Sequence, residues 1–169
     1  MSRLVMYFLH CCSGILVLAV LSSAQFTSQT YPDPRVDPFS CKTPTTGPVC
    51  DPSELLTFDE KKALAGRINQ LFPGKSLDII VDVIDKIGTV PTAPVDIEKF
   101  ANNLKSRYQH FQDVSLCDVM VLIVNSKSDR QVFTVAGKDT KLTKEVLKAA
   151  FEQNINHFRV IFPQNSKNS

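Results

Sequence analysis

Helical periodicity of the apolar residues begins downstream of residue 57, where it comes with its own start signal. Thr57 and Glu60 form a capping box: the Thr57 hydroxyl accepts the backbone N–H of Glu60, and the Glu60 side chain accepts that of Thr57. Apolar residues then recur three or four positions apart until Phe72-Pro73-Gly74 ends the run. The pattern predicts a helix whose inward positions are Leu64, Ile68 and Leu71.

Two further stretches have the same period. Val95–Phe111 starts with Asp96 and Glu98, and acids are favoured in the first turn of a helix. Thr143–Phe158 follows Gly137 and a short polar stretch. We predict helices over both, with inward positions at Ile97, Phe100, Ala101, Leu104 and Tyr108 in the former and at Val146, Leu147, Ala150, Phe151 and Ile155 in the latter.

Between these helices the apolar residues form strand-like runs. Leu77–Ile84 fits both a strand and a helix, and its many β-branched residues favour the strand. Val119–Val124 is continuously apolar, as in a strand buried on both faces, and Gln131–Ala136 is typical of its hairpin partner. Phe158–Phe162 is a candidate edge strand, limited by Pro163. The order of elements predicts an α/β sandwich, in which helices cover a small mixed sheet.

The ends of the chain differ in composition from its middle. The first 24 residues combine Arg3, an apolar run and Ser22-Ser23-Ala24, which predicts a secretory signal peptide cut before Gln25; an uncleaved membrane anchor is the alternative. Residues 25–52 hold six of the ten prolines and are expected to be irregular and extended. The predicted divisions are a signal peptide (1–24), a proline-rich arm (25–52), an α/β domain (53–162) and a polar tail (163–169).

Charge and hydropathy argue against two classes of partner. Loss of Arg3 with the signal peptide changes 19 basic residues to 18, against 17 acidic ones, so the net charge becomes +1. These residues are interspersed, whereas a nucleic-acid surface needs basic residues clustered on one face. The longest later apolar run, Val119–Val124, is far shorter than the ~20 residues that span a bilayer. We therefore expect an extracellular chain with no nucleic-acid partner and no membrane span after cleavage.

Three cysteines remain after the predicted cleavage: Cys41, Cys50 and Cys117. In an oxidising compartment they allow one disulfide and leave one thiol. A bridge from Cys50 to Cys117 would tie the arm to the sheet, and loop-closure entropy gives it about 4 kcal/mol, against about 2.5 kcal/mol for Cys41 with Cys50. We therefore predict the Cys50–Cys117 bridge, which leaves Cys41 either to be capped or to link a second chain.

No catalytic centre or cofactor site is recognisable, and the acidic residues supply only candidate metal ligands. Asp129 and Asp139 are expected at loop ends of the sheet, where sites are common in α/β folds. Aspartates in such loops are also ordinary turn and capping residues. Asp78, Asp82 and Asp85 lack a loop that bends them around an ion, so we expect them on a solvated face.

Three short stretches occur in a characteristic order: Tyr31-Pro32-Asp33-Pro34-Arg35, then Val49-Cys50-Asp51-Pro52 leading into Leu55-Leu56-Thr57, then Cys117–Val124 with Asp129-Arg130 and Gly137. Together they resemble the nematode modulator of levamisole receptor family over residues 30–159. Those proteins carry an extracellular TPM domain, so the resemblance implies a TPM-like α/β fold in a secreted, non-enzymatic protein. It also implies the partner, a subunit of a cell-surface acetylcholine-gated ion channel whose response is raised.

The sequence departs from that family, and alternatives stay open. No transmembrane helix follows the domain, and Arg107-Tyr108-Gln109 stands where the family has Trp-Gly. More distant TPM-domain proteins of bacteria and plants are linked to divalent metals and phosphatase activity. That link implies, as an alternative, a metal-dependent phosphatase-like hydrolase using Asp129 and Asp139, with Asp51 near them. A third alternative is a secreted interaction protein that forms a disulfide-linked dimer through Cys41.

Overall fold

Runs of aliphatic residues form the strands of a mixed sheet. The computed structural model describes residues 25–71, 77–89, 93–110 and 117–161. The strands are β1 (Val49–Cys50), β2 (Asp78–Ile84), β3 (Met120–Ser126) and β4 (Gln131–Ala136), adjacent in that order. β1, β2 and β3 run parallel, and β4 runs antiparallel to β3. The predicted α/β fold with a small mixed sheet is confirmed.

β2 and β3 form the centre of the sheet and supply much of the core. All seven residues of β2 are in register with all seven of β3, from Asp78 opposite Met120 to Ile84 opposite Ser126. This pairing assigns the ambiguous stretch around residue 80 to a strand, as its β-branched residues predict. The buried aliphatic residues of the two strands are Ile80, Val83, Ile84, Met120, Val121, Leu122 and Val124.

The described residues form three α-helices: α1 (Phe58–Leu71), α2 (Ile97–Gln109) and α3 (Lys144–Ile161). The predicted capping box precedes α1, because Thr57 N–H donates to Glu60 Oε2 at 2.7 Å and Glu60 N–H donates to Thr57 Oγ1 at 3.3 Å. Asp96 caps α2 by accepting the N–H of Lys99. α2 packs against β3 and β4 and buries its apolar face. None of the described helices is long and apolar enough to cross a bilayer.

α3 differs from the prediction in length and in exposure. It continues as a helix to Ile161, so the edge strand expected over 158–162 is wrong within the described residues. Leu147 is half-buried, whereas the side chain of Ile155 lies outside the described part. Three positions predicted to face inward are exposed: Val146, Ala150 and Phe151. α2 already lies against β3 and β4, which leaves α3 as one wall of a groove whose other walls are α2 and β4.

Residues 25–52 pack into the domain instead of forming an extended arm. Phe26 forms an isolated parallel bridge with Ile87, and β1 adds the end of the segment to the sheet. Its fully buried side chains include Tyr31, Cys41 and Cys50. The prolines make the segment irregular, as predicted, but burial of its apolar residues holds it against β2. The predicted signal peptide and polar tail lie outside the described residues and stay predictions.

The disulfide joins Cys41 to Cys50, so the predicted Cys50–Cys117 bridge is wrong. Cys50 is in register with Asp82 in β2, which is in register with Val124 in β3. Cys117 precedes β3, and the four residue steps from the start of β3 to Val124 span about 13 Å. Bridged Cα atoms lie within about 7 Å of each other. Cys117 is exposed and unbridged. The alternative of a dimer linked through Cys41 is wrong as well, because Cys41 is already bonded to Cys50.

Candidate functional site

The two acids predicted as metal ligands lie at opposite ends of the β3–β4 hairpin. Asp129 lies in the turn between the strands, and Asp139 follows the far end of β4. The five residue steps of β4 separate these ends by about 17 Å, whereas the oxygen ligands of a cation lie within about 2.6 Å of it. The two carboxylates therefore share no ion. Within the described ranges, no three His, Cys, Asp or Glu side chains are grouped as metal ligands.

Asp129 ties the hairpin turn to the chain that leaves β2. Its Oδ2 accepts the hydroxyl of Ser126 at 2.6 Å and the backbone N–H of Ile87 at 2.9 Å. Beside it, Ser128 Oγ donates to Asp85 Oδ1 at 2.9 Å. Both sets of bonds join the hairpin turn to the chain that leaves β2. Asp129 therefore acts as an ordinary turn residue, whose carboxylate accepts local hydrogen bonds.

Asp139 and Gly137 build the other end of the hairpin around Asp118. Asp139 Oδ2 accepts the N–H of Asp118 at 2.7 Å, and Asp139 N–H donates to Asp118 O at 3.0 Å. Lys105 Nζ lies 2.8 Å from both carboxylate oxygens of Asp118. Burial opposes the charge on Asp118, but bonds from Lys105 and from Lys138 N–H outweigh it and lower the pKa of Asp118. A Cβ on Gly137 would overlap Asp118, so this position requires glycine.

Asp51, the third acid of the hydrolase hypothesis, is fully buried directly after β1. Its two carboxylate oxygens accept the N–H groups of Leu55 at 3.0 Å and Leu56 at 2.9 Å. Lys61 Nζ, from α1, lies 3.3 Å from Asp51 Oδ2 and donates to the carbonyl of Lys42 at 3.2 Å. Asp51 and Lys61 therefore fasten α1 to the segment that carries the disulfide.

A polar cluster centred on Arg35 has no counterpart among the sites predicted from the sequence. The Arg35 guanidinium lies 2.7 Å from a carboxylate oxygen of Asp33 and 3.1 Å from one of Asp78. It also donates to the carbonyl of Tyr108 at 3.0 Å. The Cζ atoms of Arg35 and Arg107 lie 5.3 and 5.5 Å from the centroid of the Tyr108 ring, both cation–π distances. The stretch around Arg35 that carries the resemblance thus has a structural role, which no pattern along the chain reveals.

Asp82 is the innermost acid of this cluster, and the solvated face expected for it is wrong. It is fully buried in β2, because residues 25–52 and α2 cover it. The Tyr108 hydroxyl lies 2.6 Å from the carbonyl of Pro32 and 3.2 Å from Asp82 Oδ2. The single Tyr108 hydroxyl proton can be donated to only one of these acceptors. When it goes to the Pro32 carbonyl, a protonated Asp82 donates in turn to the Tyr108 hydroxyl oxygen. Burial is the largest cause that raises the pKa of Asp82 well above its ordinary value.

The most exposed large apolar side chain of the described residues lies on one turn of the proline-rich segment. We name residues 33–42 the Phe39 turn; in it, Phe39 is 78% exposed and Val36 is 60% exposed. Other exposed large apolar side chains lie on the helices: Phe58 on α1 and Val146 and Phe151 on α3. The Phe39 turn is therefore the candidate contact surface of the molecule.

Comparison with known proteins places most of these features within one protein family. A family model described as modulator of levamisole receptor-1 matches residues 26–130, which is 105 of the 169 residues. The chain belongs to this family. The matched residues of this modulator-family chain include the Phe39 turn, the disulfide, the polar cluster and strands β1 to β3.

The fold of this modulator-family chain is shared with a bacterial domain. The chain is similar to the solution NMR structure of the N-terminal domain of a protein from P. gingivalis, with a TM-score of 0.59, 16% identity and 81% of each chain covered. At this identity the likeness shows the fold alone. No curated protein matches.

Proposed function

We propose that this protein is a secreted, non-enzymatic auxiliary protein that binds an acetylcholine-gated, levamisole-type channel at the cell surface and raises its response. Membership of the modulator of levamisole receptor-1 family, matched over residues 26–130, carries the proposal. A modulator of a receptor acts by binding one functional state of that receptor better than another. The expected activity is thus a larger response to the same concentration of agonist.

Two features support secretion. Cys41 and Cys50 form a disulfide, and disulfides persist in oxidising compartments. Residues 1–24 have the charge, apolar run and small residues of a signal peptide. N-terminal sequencing of the product released from expressing cells is expected to begin at Gln25.

The use of the acidic residues supports a binding role over catalysis. Asp129, Asp139 and Asp51 each accept backbone N–H groups that hold the fold. A hydrolase of the kind considered above needs its carboxylates to converge on one ion, and Asp129 and Asp139 lie about 17 Å apart along the hairpin.

The test is the acetylcholine-evoked current of a levamisole-type receptor reconstituted in oocytes, with the full-length chain co-expressed or omitted. We expect a larger current with the chain at equal receptor surface density. The matched control is the chain without residues 1–24, which is made but does not enter the secretory pathway and leaves the current unchanged. An unchanged current with the full-length chain, when its release into the medium is verified, contradicts the proposal.

A further inference from the structure

We propose that the Phe39 turn is the surface through which this protein contacts the channel, with the Phe39 ring seated in a preformed apolar pocket on the extracellular domain of a channel subunit. This inference rests on the proposed function and adds the residues that make the contact. Its physical basis is the combination of exposure, rigidity and charge in one ten-residue turn.

Exposure of two large apolar side chains on one turn is the first observation. Phe39 is 78% exposed and Val36 is 60% exposed. Single exposed apolar residues are ordinary on protein surfaces. Here two of them lie on one turn and one is aromatic, and a buried aromatic side chain is the kind of anchor that carries much of the affinity in protein interfaces.

Rigidity of the turn is the second observation. The carbonyl of Asp33 accepts the N–H groups of Val36 at 3.0 Å and Asp37 at 2.8 Å, and the carbonyl of Asp37 accepts that of Cys41 at 3.3 Å. The disulfide then fixes Cys41 to Cys50 at the end of β1, in the core. A turn held at both ends loses little conformational freedom on binding, so the burial of Phe39 is opposed by a smaller entropy cost than it would be on a flexible loop.

Charge next to the ring favours a protein partner over a lipid surface. Asp37 and Lys42 flank Phe39, and both are exposed. Hydrogen bonds from Ser40 lower the pKa of Asp37, so its carboxylate is ionised at neutral pH. Surfaces that insert into membranes surround their apolar residues with basic ones, and an ionised acid beside the ring opposes approach to anionic headgroups. One charge of each sign instead suits a pocket whose rim carries the complementary pair.

The experiment titrates the epitope-tagged chain, released from cells that express the full-length sequence, onto cells with and without the receptor. We expect Phe39→Ala to weaken receptor binding by roughly 10- to 30-fold. Phe39→Leu keeps apolar bulk and is expected to fall between this variant and the unmodified chain. The matched control is Phe58→Ala, a phenylalanine 58% exposed on α1, which is expected to bind like the unmodified chain. Thermal melting verifies that every variant is folded.

Each failure has its own signature. If the unmodified chain binds the receptor and Phe39→Ala binds equally well, the surface is overturned and the proposed function stands. If the unmodified chain binds no receptor, both are overturned. Equal losses in Phe39→Ala and Phe58→Ala overturn the assignment to this turn. Binding to receptor-free cells, or to vesicles of phosphatidylcholine with phosphatidylserine, that depends on Phe39 identifies a lipid partner and overturns the proposal.

Discussion

Asp82→Asn replaces a buried carboxyl group by an amide of the same shape and removes its titration. In the native structure Asp82 Oδ2 lies 3.2 Å from the Tyr108 hydroxyl. The Asn Nδ2 donates to the Tyr108 hydroxyl oxygen as the protonated carboxyl does, so the contact is kept. The variant therefore isolates the dependence of stability on the proton that Asp82 binds in the folded state.

The sign follows from the two pKa values of Asp82. In the unfolded chain its pKa is about 3.9, and in the folded protein burial raises the pKa well above that value. The folded state binds the proton more tightly, so the stabilisation is complete below about pH 3.9 and is lost as the pH rises towards the folded pKa. Across that window the free energy of unfolding falls by about 1.4 kcal/mol per pH unit from this group alone. The free energy of unfolding of Asp82→Asn lacks this fall, so the variant becomes more stable relative to the native protein as the pH rises.

Urea unfolding of both proteins at a series of pH values from about 4 to about 7 measures the difference in free energy of unfolding. Equal m-values verify that the same surface is exposed in both. A difference that does not change with pH refutes the protonation of Asp82. If instead the native protein becomes more stable relative to Asp82→Asn as the pH rises, Asp82 is ionised in the folded state and is stabilised by the guanidinium groups of Arg35 and Arg107.

Four further predictions concern the hairpin and the cysteines. Gly137→Ala is expected to lower the free energy of unfolding by about 2 kcal/mol or more, because the added Cβ overlaps Asp118; chemical unfolding checks this, and a neutral effect contradicts the close packing. The double variant Cys41→Ser with Cys50→Ser is expected to lose about 2.5 kcal/mol by the same measurement. In the released, non-reduced protein, iodoacetamide is expected to modify Cys117 alone, and mass spectrometry that finds Cys41 or Cys50 modified contradicts the pairing. Calcium or EDTA is expected to leave the thermal midpoint unchanged, since the two hairpin acids do not converge; a rise with calcium would restore the metal-site hypothesis.

The sequence predicts structure well where residues close along the chain decide it. The capping box of Thr57 and Glu60 lies within four residues, and both of its hydrogen bonds are present. The β-branched residues of β2 outweigh their alternative helical spacing, because a pleated surface suits them over the whole run. The α/β class and the small mixed sheet follow from such local signals together with the order of the elements along the chain.

Errors arise where distant segments decide the outcome. The alternation of side chains along β2 predicts which face of the sheet carries Asp82. Whether that face is buried depends on residues 25–52 and α2, which lie elsewhere in the sequence. Loop-closure entropy describes the unfolded chain, whereas the parallel register of β1, β2 and β3 keeps Cys50 far from Cys117. The candidate site shows the same limit, since the separation of Asp129 from Asp139 follows from the pairing of β3 with β4.

The position of the disulfide has a consequence for how the chain is made. Cys41 and Cys50 are synthesised before β2, β3 and β4, and chains begin to fold from the N-terminal side during synthesis. In the secreted protein that we propose, these two thiols enter the oxidising lumen before Cys117 does, because they lie nearer the N-terminus. Cys41 can then pair with Cys50 before Cys117 competes, so the order of synthesis favours the pairing that the structure has.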